Sequence, residues 1–170
     1  STLSSSSAAS DVYKRQAKWG DPMDSETTLA PLSSAGAKDD VLKQIKLAVD
    51  HGAEVVFGND TIDHPGNFVM PTVLTNITKA NPIYNQEIFG PVASIYKVDT
   101  EEEAIALAND SSYGLGSTVF SSDPEHAKKV AAQIETGMTF INSGWTSLPE
   151  LPFGGIKNSG YGRESVSYTH

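Results

Sequence analysis

The sequence predicts an α/β fold with a largely parallel sheet and flanking helices. Stretches of helical period alternate with short β-branched or aromatic runs, and the links between them are only a few residues long. The 170 residues, 38% of them hydrophobic, are enough to enclose the core of one ordinary domain.

The elements follow in chain order. Residues 1–16 (STLSSSSAASDVYKRQ) are serine-rich and have neither a helical nor a strand period. SVSYTH, after Glu164, breaks off without a cap or stop. Both ends read either as adaptor-like additions or as flexible native linkers, which leaves residues 17–164 as the domain. From Ala37 to His51, Val41, Ile45, Ala48 and Val49 recur at steps of three and four, and Gly52 follows as a stop. Glu54–Phe57 and Phe68–Leu74 are strand candidates, separated by the turn-forming Gly58, Asn59, Asp60 and Pro65-Gly66. Val92–Val98 is the next strand. Thr100 and Glu103 then form a capping-box pattern ahead of a helix carrying Ala104, Ile105 and Ala108. Strand Ser117–Phe120 leads into Ser122-Asp123-Pro124-Glu125, a second such pattern, and a helix with Ala127, Val130, Ala131 and Ile134 on one stripe. Gly137 is expected to stop that helix, and strand Met138–Asn142 begins at once. In open α/β sheets ligands lie beyond the strand C-termini, so the loops after Phe120 and Asn142 are where chemistry is expected.

Several functional classes lack support. Twelve basic against 21 acidic residues give a net charge of -9, which disfavours a nucleic-acid partner. Apolar runs are too short to span a bilayer, which points to a soluble, cytoplasmic protein with no membrane partner. With no cysteine, the chain has neither a thiolate metal site nor a Cys nucleophile. His51, His64, His126 and His170 share no metal-ligand spacing, so no metal is expected; His51 suits the negative end of its helix, and His126 falls in a first turn. Gly114-Leu115-Gly116 begins like a phosphate-binding loop but leads into a strand instead of out of one, and reads as a turn.

Two segments are denser than plain structure requires. In Gln86-Glu87-Ile88-Phe89-Gly90-Pro91-Val92, Gly before Pro favours extended backbone and holds an acid and an aromatic in defined directions at a sheet edge. Residues 151–164, LPFGGIKNSGYGRE, place four glycines within nine residues, which implies positive φ angles or close backbone approach.

Taken together, E-I-F-G-P-V, then I-N-S-G, then P-F-G-G-x-K-x-S-G-x-G-R-E resemble the aldehyde dehydrogenase superfamily in order and spacing. Lys18-Trp19-Gly20-Asp21-Pro22-Met23 and Ala30-Pro31-Leu32 add to the likeness, with Ala30 where the family usually has Gly. G-D-P-M-D and E-L-P-F-G-G-I-K point to the bacterial succinate-semialdehyde branch. The resemblance covers residues 17–164 and implies the C-terminal portion of a catalytic domain. It also implies that the nucleophilic Cys, the general-base Glu and most of the cofactor domain lie outside this chain. In a complete enzyme of this kind the thiolate attacks the aldehyde, hydride passes to NAD or NADP, and activated water releases the acid. This chain therefore carries no catalytic residue and is expected to be inactive alone. The parent is expected to be a homo-oligomer acting on a small aldehyde.

By the same resemblance Glu87 accepts hydrogen bonds from the nicotinamide ribose hydroxyls, a task suited to a carboxylate with two oxygens. Phe89 matches the aromatic beside the nicotinamide, with a core plug as the alternative. Trp145 to Leu148 matches the loop at the aldehyde entrance, where Ser147 is a candidate partner for a distal substrate carboxylate. Phe153 matches the aromatic wall of the substrate tunnel or is ordinary packing. Asn142 is placed to orient the loop that follows it. Lys157 and Arg163, among glycines, are read as structural. The competing reading of the whole chain is a non-catalytic α/β binding or scaffold module.

Overall fold

The computed structural model describes residues 17–144 and 146–165; the expected leader (1–16), residues 166–170 of the tail, and Trp145 lie outside the described residues. The chain divides into two compact units, the first ending at Lys97 and the second beginning at Val98.

In the first unit, helix α1 spans Ala35–Asp50 and starts where Ser34 Oγ accepts the Ala37 N–H at 3.1 Å. At its other end His51 Nδ1 lies 2.9 Å from the Leu47 carbonyl, and Gly52 takes a φ of 95°. Val41, Ile45 and Ala48 form its buried face. Val49, expected on that stripe, is 40% exposed because it falls beyond the edge of the face. Strand β1 is Glu54–Phe57, as the sequence predicts, and pairs antiparallel with β2, Thr72–Thr75. The expected strand from Phe68 begins only at Thr72, since Pro71 has no N–H for a ladder; Phe68 and Val69 are buried ahead of it as irregular backbone. Strand β3, Val92–Ser94, runs parallel to β2 and is shorter than expected because its partner strand ends at Thr75. Val41, Ile45, Ala48, Ala53, Val69, Leu74, Ile77 and Ile83 form one closed core. Each buried Val, Leu or Ile among them contributes about 1.5–3 kcal/mol. Asn81, also buried, is fully used: its Nδ2 donates to the carbonyls of Ala48 (2.9 Å) and His51 (3.3 Å), and its Oδ1 accepts the Ile83 N–H at 3.1 Å. It thereby ties the end of α1 to the segment leading toward Glu87.

In the second unit, helix α2 spans Glu101–Asn109, and Thr100 Oγ1 accepts the Glu103 N–H at 3.1 Å. Glu103 returns a bond at 2.9 Å to the N–H of Asp99, one residue before the cap, and not to Thr100 itself. Strand β4 is Tyr113–Gly114 and β5 is Gly116–Val119. The expected turn at 114–116 narrows to a bend at Leu115 between two strand glycines: a Cβ on Gly114 would sit 2.7 Å from the Glu135 carbonyl oxygen and 2.9 Å from Ile156. Helix α3, Pro124–Ala131, is capped by Asp123 and not by the expected Ser122. Asp123 Oδ1 accepts from the N–H groups of Glu125 and His126, with Pro124 in the first turn. The helix ends before Ile134, earlier than the stripe implies. Gly137 is not its stop but a point of close approach, where a Cβ would lie 2.0 Å from the Gly154 carbonyl oxygen. Strand β6, Met138–Ile141, pairs parallel with β5, and β7, Ile156–Lys157, pairs antiparallel with β4.

The structure is α/β, with parallel pairs β2–β3 and β5–β6 and antiparallel pairs β1–β2 and β4–β7. The antiparallel pair β1–β2 arises because no helix separates these strands, so the chain folds straight back. Among the described residues no helix is long and apolar enough to cross a membrane.

Candidate functional site

In the first unit the candidate site lies where the Glu87–Gly90 segment runs along α1. Alternation decides which side chains are presented: Ile88 packs against the core, while Glu87 is exposed and Phe89 is 77% exposed. This excludes the core-plug reading of Phe89 in this chain. The backbone is held tightly, with the Gly90 N–H donating to the Ile88 carbonyl (2.9 Å) and the Val92 N–H donating to the Gly90 carbonyl (2.7 Å). Gly90 sits so close to α1 that a Cβ there would be 2.8 Å from Val41 Cγ2. Glu87 and Phe89 line one open groove of about 470 Å³ together with Val41, Lys43 and Gln44 of α1. A carboxylate and an aromatic ring on one groove and turned outward can accept a diol and cover a flat ring.

In the second unit β5 and β6 end in register, Val119 opposite Ile141, so both following loops leave from the same sheet end. Asn142 takes a φ of 52° and clamps these loops: its Oδ1 accepts the Ser121 N–H and its Nδ2 donates to the Ser121 carbonyl, both at 2.8 Å. Ser147 lies exposed on the second of these loops. Phe153 is half-buried, its backbone paired in both directions with Glu164 at 3.0 and 2.7 Å. Of the sequence-predicted residues, Glu87 and Phe89 share one groove; Ser147 and Phe153 belong to two different features, a loop and a bridge; Trp145 lies outside the described residues.

Lys157 and Arg163 are occupied. Lys157 Nζ donates to the carbonyls of Asn109 (2.9 Å) and Ser111 (3.1 Å) and pairs with Glu135 at 2.8 Å, while Arg163 Nη1 donates to the carbonyls of Gly137 (3.0 Å) and Gly154 (3.3 Å). Both act as braces for the glycine-rich segment, where Gly160 and Gly162 supply positive φ and Gly154 and Gly155 supply close approach. His126 Nε2 bonds to Glu101 Oε2, joining the first turns of α3 and α2.

Sequence reasoning missed Gln44, whose Nε2 donates to Gln86 Oε1 and to the Glu87 carbonyl, both at 3.2 Å. The only clue in the sequence is its place three residues after Val41, on the same helical face. It also missed Ser121 as the partner of Asn142 and Glu135 as the partner of Lys157, contacts between residues far apart in sequence.

Residues 8–170 match the Aldehyde dehydrogenase family. The chain is 53% identical over 148 residues to the succinate-semialdehyde dehydrogenase [NADP(+)] of Deinococcus radiodurans, a match covering 87% of this chain and 31% of that protein. Among solved structures it is similar to the succinic semialdehyde dehydrogenase of Streptococcus pyogenes in complex with NADP+, with a TM-score of 0.89 and 75% identity over 91% of this chain and 34% of that one. It is also similar to the betaine aldehyde dehydrogenase of Staphylococcus aureus in complex with NAD+, with a TM-score of 0.87 and 35% identity over 93% of this chain and 32% of that one. The chain spans about a third of the length of these relatives.

Proposed function

Because this chain belongs to the aldehyde dehydrogenase family, we propose that it is the C-terminal portion of the catalytic domain of an enzyme that oxidises succinate semialdehyde to the acid with NADP or NAD. The observation that carries the reading is the outward presentation of Glu87 and Phe89 on one groove, with Ile88 anchored beneath them. Glu87 accepts the two ribose hydroxyls, and Phe89 covers one side of the nicotinamide. The cofactor supplies the acceptor for the aldehyde hydride, and one water supplies the second oxygen of the acid. NADP is favoured over NAD because the Deinococcus radiodurans relative is an NADP(+) enzyme and the Streptococcus pyogenes structure holds NADP+. The exposed loop bearing Ser147, with Phe153, lines the entrance for the aldehyde, Ser147 hydrogen-bonds the distal carboxylate of the substrate, and Trp145 is assigned to the same entrance on its sequence position alone. A cytoplasmic, homo-oligomeric parent goes with this reading.

The chain has no cysteine, so these 170 residues alone are expected to form no NAD(P)H from succinate semialdehyde. In the full-length enzyme carrying these residues, Glu87→Gln is expected to raise the cofactor KM or lower kcat by about tenfold, with Tm unchanged. Wild-type values of both kinetic parameters in that variant would overturn the role of Glu87. Turnover by the 170-residue chain would overturn the division of labour itself.

A further inference from the structure

We propose that Gln44 is a positioning residue for the nucleotide-facing segment, holding Glu87 and Phe89 in their outward geometry. Three contacts fix this segment to the first unit, and they differ in kind. Ile88 enters the core, Gly90 lies against Val41 with no room for a Cβ, and Gln44 alone holds the Glu87 backbone through a polar contact from α1. Val41 and Gln44 are one helical turn apart, so a single face of α1 grips both flanks of the Glu87–Phe89 pair. The Gln44 amide also reaches Gln86 Oε1, so one donor group meets two acceptors on consecutive residues. Carbonyl oxygens attract this group only while it is a donor. An acceptor of the same shape would face two oxygens and push the segment away from the helix.

The inference rests on the reading of Glu87 and Phe89 as cofactor contacts, and its test separates the two. Gln44→Glu is isosteric and removes the donor, whereas Gln44→Lys keeps one. In the 170-residue chain, Gln44→Glu is expected to speed amide exchange at Gln86 and Gly90 roughly tenfold. Leu74, in the paired core strand, is expected to keep its rate, and Gln44→Lys is expected to stay within about twofold of wild type at Gln86 and Gly90. Unchanged exchange at Gln86 and Gly90 would overturn the proposal. So would an equal acceleration at Leu74, because Gln44 would then support the unit as a whole and not the segment. In the full-length enzyme, Gln44→Glu is expected to raise the cofactor KM about fivefold or more while leaving the aldehyde KM unchanged. Faster exchange with unaltered cofactor KM would uphold the positioning contact and refute the cofactor reading of Glu87.

Discussion

The two units of this chain differ in how they use apolar residues. The first encloses an eight-residue core in which Leu74 and Ala48 are fully buried and Ile45 is 1% exposed. The second, among the described residues, buries one hydrophobic side chain, Ala127. Its β5 and β6 are half-buried along their whole length, α2 buries nothing, and Phe120 and Tyr161 stand exposed. What holds the second unit in shape is polar and geometric: the Asn142–Ser121 clamp, the Lys157 and Arg163 braces, and the backbone contact at Gly137. A layer of strands becomes stable when both faces are covered, and here helix α3 is the element packed on β5 and β6. The lesson is that the first unit has the means to hold its fold by burial, whereas the second relies on directional bonds whose net worth is small in water.

The largest expected effect sets core against strand. Leu74→Ala is expected to cost the first unit about 3 kcal/mol, whereas Ile141→Ala is expected to cost the second about 1 kcal/mol or less. Residue-resolved denaturant unfolding of the 170-residue chain measures both. Equal costs would mean that β6 is buried as thoroughly as β2, and the contrast would collapse.

A smaller effect sharpens the account of the second unit. Asn142→Gly keeps access to the left-handed backbone but loses both bonds to Ser121, and it should lower local stability by about 1–2 kcal/mol. Asn142→Ala should lose about 1 kcal/mol more, since alanine pays for the positive φ. Exchange at the Ser121 amide reports both. If the two variants matched wild type there, the loops would be set by packing and not by the clamp.

The smallest effect concerns the first unit at high pH. Burial pushes the Tyr96 phenol above its ordinary value of 10.0, the nearby Tyr84 adds to the rise, and a hydrogen bond with Ser94 opposes it. The folded unit therefore holds this proton more tightly than the unfolded chain. The stabilisation is complete below the unfolded value and fades as pH climbs through the raised folded one. Tyr96→Phe is expected to flatten that alkaline decline in the first unit's unfolding midpoint. An unchanged slope would assign the decline to other groups.

Much of this was legible in the residues. The α1 stripe, the strand Glu54–Phe57 and the cap at Thr100 follow from local rules of period and side-chain chemistry. Glu87 and Phe89 stood out because Gly90-Pro91 limits the backbone beside them. The errors have two causes. The late start of the strand at Thr72 and the transfer of the α3 cap from Ser122 to Asp123 turn on local chemistry, the missing N–H of Pro71 and the Asp123 carboxylate, whereas the role of Gly137 depends on backbone that comes near from elsewhere in the chain. Gln44 was invisible for the same reason, its acceptors lying 42 and 43 residues away.

The sequence by itself determined the alternation of helix and strand, the absence of a cysteine nucleophile from these 170 residues and the motif segments proposed to carry the site, because period, composition and motif order are properties of a single chain. Only the tertiary structure decided that Phe89 faces outward, which carbonyls and carboxylate Lys157 and Arg163 brace, and that one unit encloses an eight-residue core while the other, among the described residues, buries one hydrophobic side chain. Burial and hydrogen-bond partnership are relations between distant residues, and a linear string of side chains does not specify them one position at a time.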